Sequence, residues 1–166
     1  MKNGLVIVDS GPIFSLAVIN QLEVLNFIFD SIKIPFAVWE EVTRNKTTEQ
    51  YQIIHSFFKD KTHRIAGFNE LSFLMDYGES ESVTLYKELQ ANFLLIDDKK
   101  ARKIAENLGV KCIGTIGLLS VAKDKKIVSE LRPLFKTFLQ NNRFYSTALL
   151  NVILKNHNEK RIDYKT

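Results

Sequence analysis

Apolar residues follow two rhythms along this chain. Leu5-Val6-Ile7-Val8 and Phe93-Leu94-Leu95-Ile96 are short unbroken runs, and each ends in acid: Asp9 after the first, Asp97-Asp98 after the second. Unbroken apolar runs of this length read as strands buried on both faces, as in parallel sheets. Ile32-Lys33-Ile34, closed by Pro35, and Lys111-Cys112-Ile113 read as further short strands, and Arg64-Ile65-Ala66 as a candidate edge strand. Elsewhere apolar residues recur at spacings of three and four. This second rhythm predicts helices over 13–19, 22–29, 37–44, 78–90 and 116–123. Thr47 or Thr48 offers a cap for a helix to about Lys59, and residues 68–75 read as a loop or helical turn. A helix from about Lys100 to Leu108 is stopped by Gly109. Ser129 offers a cap for Glu130 to Gln140, and Ser146 one for Thr147 to about Asn156. Strands alternating with helices predict an α/β fold with a mostly parallel sheet. With no repeat and no linker, residues 1–166 are expected to form one domain whose C-terminal helices begin near 129.

Parallel strands of one sheet point the same way, so Asp9 and Asp97-Asp98 are expected at one edge. That carboxyl edge is where open α/β sheets keep their ligands. Glu79 and Glu81 open the helix that feeds the second acid-ended strand, which places them at the same edge. Glu40 and Glu41 lie in the helix after the second strand. Crowded carboxylates raise one another's pKa unless a cation neutralises them. An all-oxygen donor set suits Mg²⁺ or Mn²⁺, which polarise phosphoryl oxygens and activate water. His55, His63 and His157 do not cluster at zinc spacing. Each acid also has an ordinary structural reading. Asp9 is a strand-end turn or cap residue, and Asp97 or Asp98 caps the following helix. Glu79 and Glu81 complement a helix dipole, and Glu40 and Glu41 are solvated.

Length and composition narrow the class. At 166 residues and 45% hydrophobic, the chain can bury a sizeable core. No apolar run reaches membrane-spanning length, so no membrane role is expected. The N-terminal residues carry no signal-like pattern, and the single cysteine, Cys112, reads as a buried structural thiol; together they predict a cytoplasmic protein. A formal charge of +4 permits nucleic acid as a partner without requiring it. Lys99, Lys100, Arg102 and Lys103 directly follow the acidic edge. They are either RNA-phosphate contacts or a solvated helix face.

Five segments together resemble PIN domains, in particular the VapC-like branch of bacteria and archaea. They are Val8-Asp9-Ser10-Gly11-Pro12, Ile34-Pro35-Phe36-Ala37-Val38-Trp39-Glu40-Glu41-Val42, Gly78-Glu79-Ser80-Glu81-Ser82, Leu94 to Arg102, and Ile113 to Leu119. The resemblance implies a three-layer α/β/α fold and a Mg²⁺- or Mn²⁺-dependent ribonuclease. Such an enzyme hydrolyses RNA phosphodiester bonds with metal-activated water held by a cluster of acids. Matched position by position, those acids are Asp9, Glu41, Glu79 and one of Asp97 and Asp98, as both metal ligands and catalytic residues. Ser10 and Thr115 match polar residues that position water or phosphate. Gly11 departs from the family's commoner serine, and Glu79 from its commoner aspartate. The resemblance also implies a homodimer, for which Phe27, Phe29, Phe57 and Phe58 offer apolar surface, and a small antitoxin protein as partner. A non-catalytic RNA- or protein-binding module is the competing class. A receiver or phosphatase fold fits less well, because no Asp-x-Asp follows the first strand.

Overall fold

Strand β1 (Leu5–Val8) lies at the centre of a five-stranded sheet with β2 (Ser31–Pro35), β3 (Thr62–His63), β4 (Phe93–Leu95) and β5 (Cys112–Ile113). The computed structural model describes residues 2–163. The strand order is β3-β2-β1-β4-β5, and every pairing is parallel. Ile7 pairs with Lys33 on one side of β1, and Val8 with Leu95 on the other.

Nine helices are described: α1 (Ser10–Val18), α2 (Val24–Ile28), α3 (Phe36–Thr43), α4 (Tyr51–Phe58), α5 (Tyr77–Glu88), α6 (Lys99–Asn107), α7 (Thr115–Asp124), α8 (Arg132–Gln140) and α9 (Thr147–Asn156). Because side chains alternate across a strand, β1 divides them between two layers. Val6 and Val8 pack into a large core with residues of α1–α4 and α7–α9. Ile7 points the other way, against Val83 and Leu85 of α5 and Ala101 and Ala105 of α6. The result is a three-layer α/β/α arrangement around the parallel sheet that the alternation of elements predicts.

Several local expectations are corrected. Helix α1 begins at Ser10, not at Ile13, because Pro12 sits in its first turn, where a missing N–H leaves no bond unmade. Thr47 and Thr48 do not cap α4. The Asn45 side chain accepts from the Thr47 N–H at 3.1 Å, and the Thr48 hydroxyl donates to the Asn45 carbonyl at 3.2 Å, which uses both threonines in a turn. The edge strand is Thr62–His63, not Arg64–Ala66. Beyond His63 the Ala66 and Gly67 N–H groups leave the sheet and donate to the Glu88 carboxylate at 2.9 and 2.8 Å. Helix α8 starts at Arg132, and its cap is not Ser129 but Glu159, whose carboxylate accepts from the Leu131 and Arg132 N–H groups at 2.9 and 2.7 Å.

Of the four phenylalanines expected to offer apolar surface, Phe29, Phe57 and Phe58 are core residues and Phe27 is 61% exposed. Cys112 is half-buried, and burial pushes its thiol up to about 11, so it is unreactive at neutral pH. No helix of the described residues is long and apolar enough to cross a membrane.

Candidate active site at the carboxyl edge

Asp9 is carried by β1 out of the sheet, and its N–H donates to the Leu95 carbonyl at 3.0 Å. Asp9 and the Asp97-Asp98 pair therefore emerge side by side, from adjacent parallel strands. Asp9 occupies the N-cap position of α1, and its side chain makes no capping hydrogen bond there. It is 5% exposed. The Ser82 hydroxyl lies 3.1 Å from its Oδ1 and 2.8 Å from the Gly78 carbonyl oxygen, with one proton to share between them. Burial, and then the charges of Glu79 and Glu41, outweigh the help from Ser82 and the Ser10 N–H and lift its pKa to about 7.

Glu79 stands in the first turn of α5, where it forms a reciprocal capping box with Asp76. Its Oε2 accepts from the Asp76 N–H at 3.3 Å. Its pKa is raised, first by burial and then by the charges of Asp98, Asp76 and Glu41, which outweigh the bond from Asp76. Glu41 projects from the exposed side of α3 toward the start of α5. A Cβ on Gly78 would stand 3.1 Å from Glu41 Oε2, so the absent side chain lets the two helices approach. Glu81, two residues beyond Glu79 on α5, has a different task. It is buried, and its Oε2 accepts from the Ala37 N–H at 3.0 Å, capping α3 and fixing the helix that carries Glu41.

The aspartate doublet divides its work. Asp98 is exposed and caps α6, its Oδ1 accepting from the Ala101 N–H at 2.8 Å. Asp97 accepts three bonds: from the Thr115 N–H at 2.7 Å, the Thr115 hydroxyl at 2.7 Å and the Tyr145 hydroxyl at 2.6 Å. The Tyr145 oxygen also lies 2.6 Å from Ser15 Oγ. Burial and the Asp97 charge push the Tyr145 phenol up to about 12, so it stays a donor. Arg143 completes this network, with Nε donating to Ser15 Oγ and Nη2 to the Gly11 carbonyl, both at 2.9 Å. Thr115 is thus committed to Asp97, while Ser10 is half-buried beside Asp9.

Lys99, Lys100 and Lys103 are exposed on α6, and Arg102 Nε donates to Glu106 at 2.9 Å. Lys100 shares a cavity of about 170 Å³ with Asp76, Glu79 and Asp98. The structure therefore brings Asp9, Glu41 and Glu79 into one another's fields, with Asp98 beside Glu79. Asp97 is bound into its own network. Among the described residues, no three His, Cys, Asp or Glu side chains are arranged to hold an ion as they stand.

A family model described as DUF3368, PIN domain, matches residues 5–159. The chain belongs to the PIN-domain family. PIN domains are in general nucleases that work with divalent metals, and the acids of this PIN domain lie at the edge where its sheet opens. No curated protein matches the chain.

Sequence reasoning placed Glu81 at this edge without its task as a cap for α3, and missed four residues there: Asp76, Ser82, Arg143 and Tyr145. Two had a signal. Asp76 stands three residues before Glu79, the capping-box spacing, and Ser82 lies three after it on the same helix face. Arg143 reaches Ser15 across 128 positions and Tyr145 reaches Asp97 across 48, and nothing local announces either.

Proposed function

We propose that this PIN domain is a divalent-metal-dependent endoribonuclease of the VapC-like toxin kind. The observation that carries the reading is Asp9. A carboxylate almost closed off from water, crowded by two glutamates and given a share of one serine proton, is poorly compensated by this chain alone. A hard cation is the partner that such a group lacks. The donors fit Mg²⁺ or Mn²⁺ in kind, since all are oxygens. Asp9, Glu41 and Glu79 would hold the ion, with Asp97 and Asp98 at the rim.

Bound there, the ion would supply Lewis-acid polarisation of a phosphoryl oxygen and a lowered pKa for a water molecule. The protein's own residues do the rest. Glu81 holds α3 against α5 and so sets the Glu41 carboxylate. Thr115 and Tyr145 hold Asp97 in one orientation. Lys99 and Lys100 at the start of α6 offset the negative charge of an arriving phosphodiester.

The test is cleavage of a single-stranded RNA with Mn²⁺. Wild type is expected to cut, and Asp9→Asn to lose at least about a hundredfold, the scale of removing an electrostatic catalytic group. RNA bound but uncut by wild type under all divalent ions would instead assign the non-catalytic class. The same reading carries a second copy of the chain and a small antitoxin as protein partners. Phe27 is the one of the four expected surface phenylalanines that is exposed and free to meet one of them, and a sedimentation run showing only monomer at micromolar concentration would overturn the homodimer.

A further inference from the structure

A second feature of the carboxyl edge lies beside Asp97. Residues 143–146 carry no helix or strand and cross the edge between α8 and α9. Arg143 and Tyr145 both turn inward, and both reach Ser15. The residue between them points the other way, into solvent. That residue is Phe144, which is 90% exposed, more than any other large apolar side chain described. Its backbone is held on both sides, by the Arg143 bonds to Ser15 and the Gly11 carbonyl and by the Tyr145 bond to Asp97. An aromatic ring displayed to water on an anchored segment loses little conformational freedom when it meets a ligand.

Phe144 forms one wall of a groove of about 980 Å³ whose other lining includes Asp97, Lys99, Arg102 and Arg143. Lys99 is exposed, Arg102 keeps its terminal nitrogens beyond the Nε bond to Glu106, and with the Phe144 ring they offer what single-stranded nucleic acid needs: positive charge for the backbone and a ring for a base. Gly114 also lines the groove, and the Arg102 guanidinium and the Asp97 carboxylate close over it, since a Cβ there would stand 3.2 Å from Arg102 Nη1 and 3.3 Å from Asp97 Oδ1.

We propose that this groove seats the single-stranded RNA segment next to the scissile phosphate, with a base stacked on Phe144 and phosphates on Lys99 and Arg102. The proposal rests on the ribonuclease reading for the position of the scissile bond, and its test is made independent of cleavage. A fluorescein-labelled single-stranded RNA of about eight nucleotides, within the span of such grooves, is titrated in EDTA and followed by anisotropy. Phe144→Ala is expected to weaken binding about tenfold, from the loss of one base–aromatic stack. Phe144→Trp should keep or tighten it. Lys99→Ala should lower the slope of log K against log salt by about 0.7, the value for one phosphate contact on a single strand.

RNA affinity unchanged in Phe144→Ala overturns the proposal, whether or not wild type cuts RNA with Mn²⁺. The same follows if Phe144→Ala changes the self-association of the chain and not its RNA affinity, which assigns the groove to a second copy. Binding in EDTA that depends on Phe144, from a protein that never cleaves, sustains the groove and defeats the catalytic reading instead. Because Phe144 makes no buried contact, a melting curve matching wild type is expected for both variants and confirms that the comparison is between folded proteins.

Discussion

Replacing Asp9 with asparagine should change how stability depends on pH when no divalent ion is present. The Asp9 carboxyl titrates near 7 in the folded chain, against a usual value of 3.8 when unfolded. Below the lower value it is protonated in both states and costs nothing. As pH rises from there toward the folded pKa, the unfolded chain releases the proton while the folded chain keeps it, so stability falls. Beyond the folded pKa the loss is complete and the curve flattens. Each pH unit in that window is worth about 1.4 kcal/mol, and a window of about three units gives a total of ~4 kcal/mol. No discount for solvent screening applies, because Asp9 is 5% exposed. Asparagine cannot ionise, and its side-chain oxygen can still accept from Ser82. The variant should therefore lack this slope. Urea unfolding of both proteins in EDTA at pH 5 and pH 8 measures it. Asp9→Asn should gain about 3 kcal/mol on wild type between the two conditions, from the two units of the window they span. Parallel pH profiles for the two proteins would refute the claim that Asp9 is a buried, poorly compensated acid.

Three further outcomes follow from the same geometry. Tyr145→Phe removes the bond to the charged Asp97 and the contact with Ser15, and should cost about 1.5–3 kcal/mol in chemical denaturation; a loss below experimental error would show that the network does not hold the C-terminal segment. Glu159→Ala leaves the start of α8 without its cap and should cost about 1–2 kcal/mol at neutral pH. Burial raises the Glu159 pKa, but the bonds from Leu131, Arg132 and Lys123 outweigh it and the net shift is downward, so this stabilisation is present above the usual 4.5 and is lost as pH falls through the lowered folded value. The gap between wild type and Glu159→Ala should accordingly close in acid, and a gap that widens would contradict the assignment. Gly78→Ala should disturb the Glu41 carboxylate, which a new Cβ would approach to 3.1 Å, and reduce RNA cleavage while the melting temperature changes little; full activity would show that Glu41 has room to spare.

The sheet was readable because its central strands announce themselves locally. Leu5–Val8 and Phe93–Leu95 are apolar on both faces because helices cover both, so their composition alone distinguishes them from amphipathic segments. Edges and caps were less legible, since their partners are distant. Thr62–His63 is a strand only because Ile34 extends far enough to pair with Thr62. The start of α8 is set by Glu159, which lies 28 residues beyond Leu131. The acids show the same division. That Asp9 and the doublet share an edge follows from parallel strands, but the doublet looked symmetrical in sequence. Only the fold separates Asp98, satisfied within its own helix, from Asp97, satisfied by Thr115 and a tyrosine 48 positions away. Glu81 and Glu79 likewise share one helix turn in sequence, yet one is buried as a cap for α3 and the other faces the remaining acids.

The central claim is that the acids at the carboxyl edge hold a hard divalent ion. Direct titration of Mn²⁺ into the protein, with free ion followed by electron paramagnetic resonance, tests it without RNA and without turnover. Wild type should deplete the free-ion signal with saturation at a defined stoichiometry, Mg²⁺ should compete for the same sites, and Asp9→Asn should lose most of the binding. Equal uptake of Mn²⁺ by wild type and Asp9→Asn, or no saturable uptake by wild type, would contradict the account.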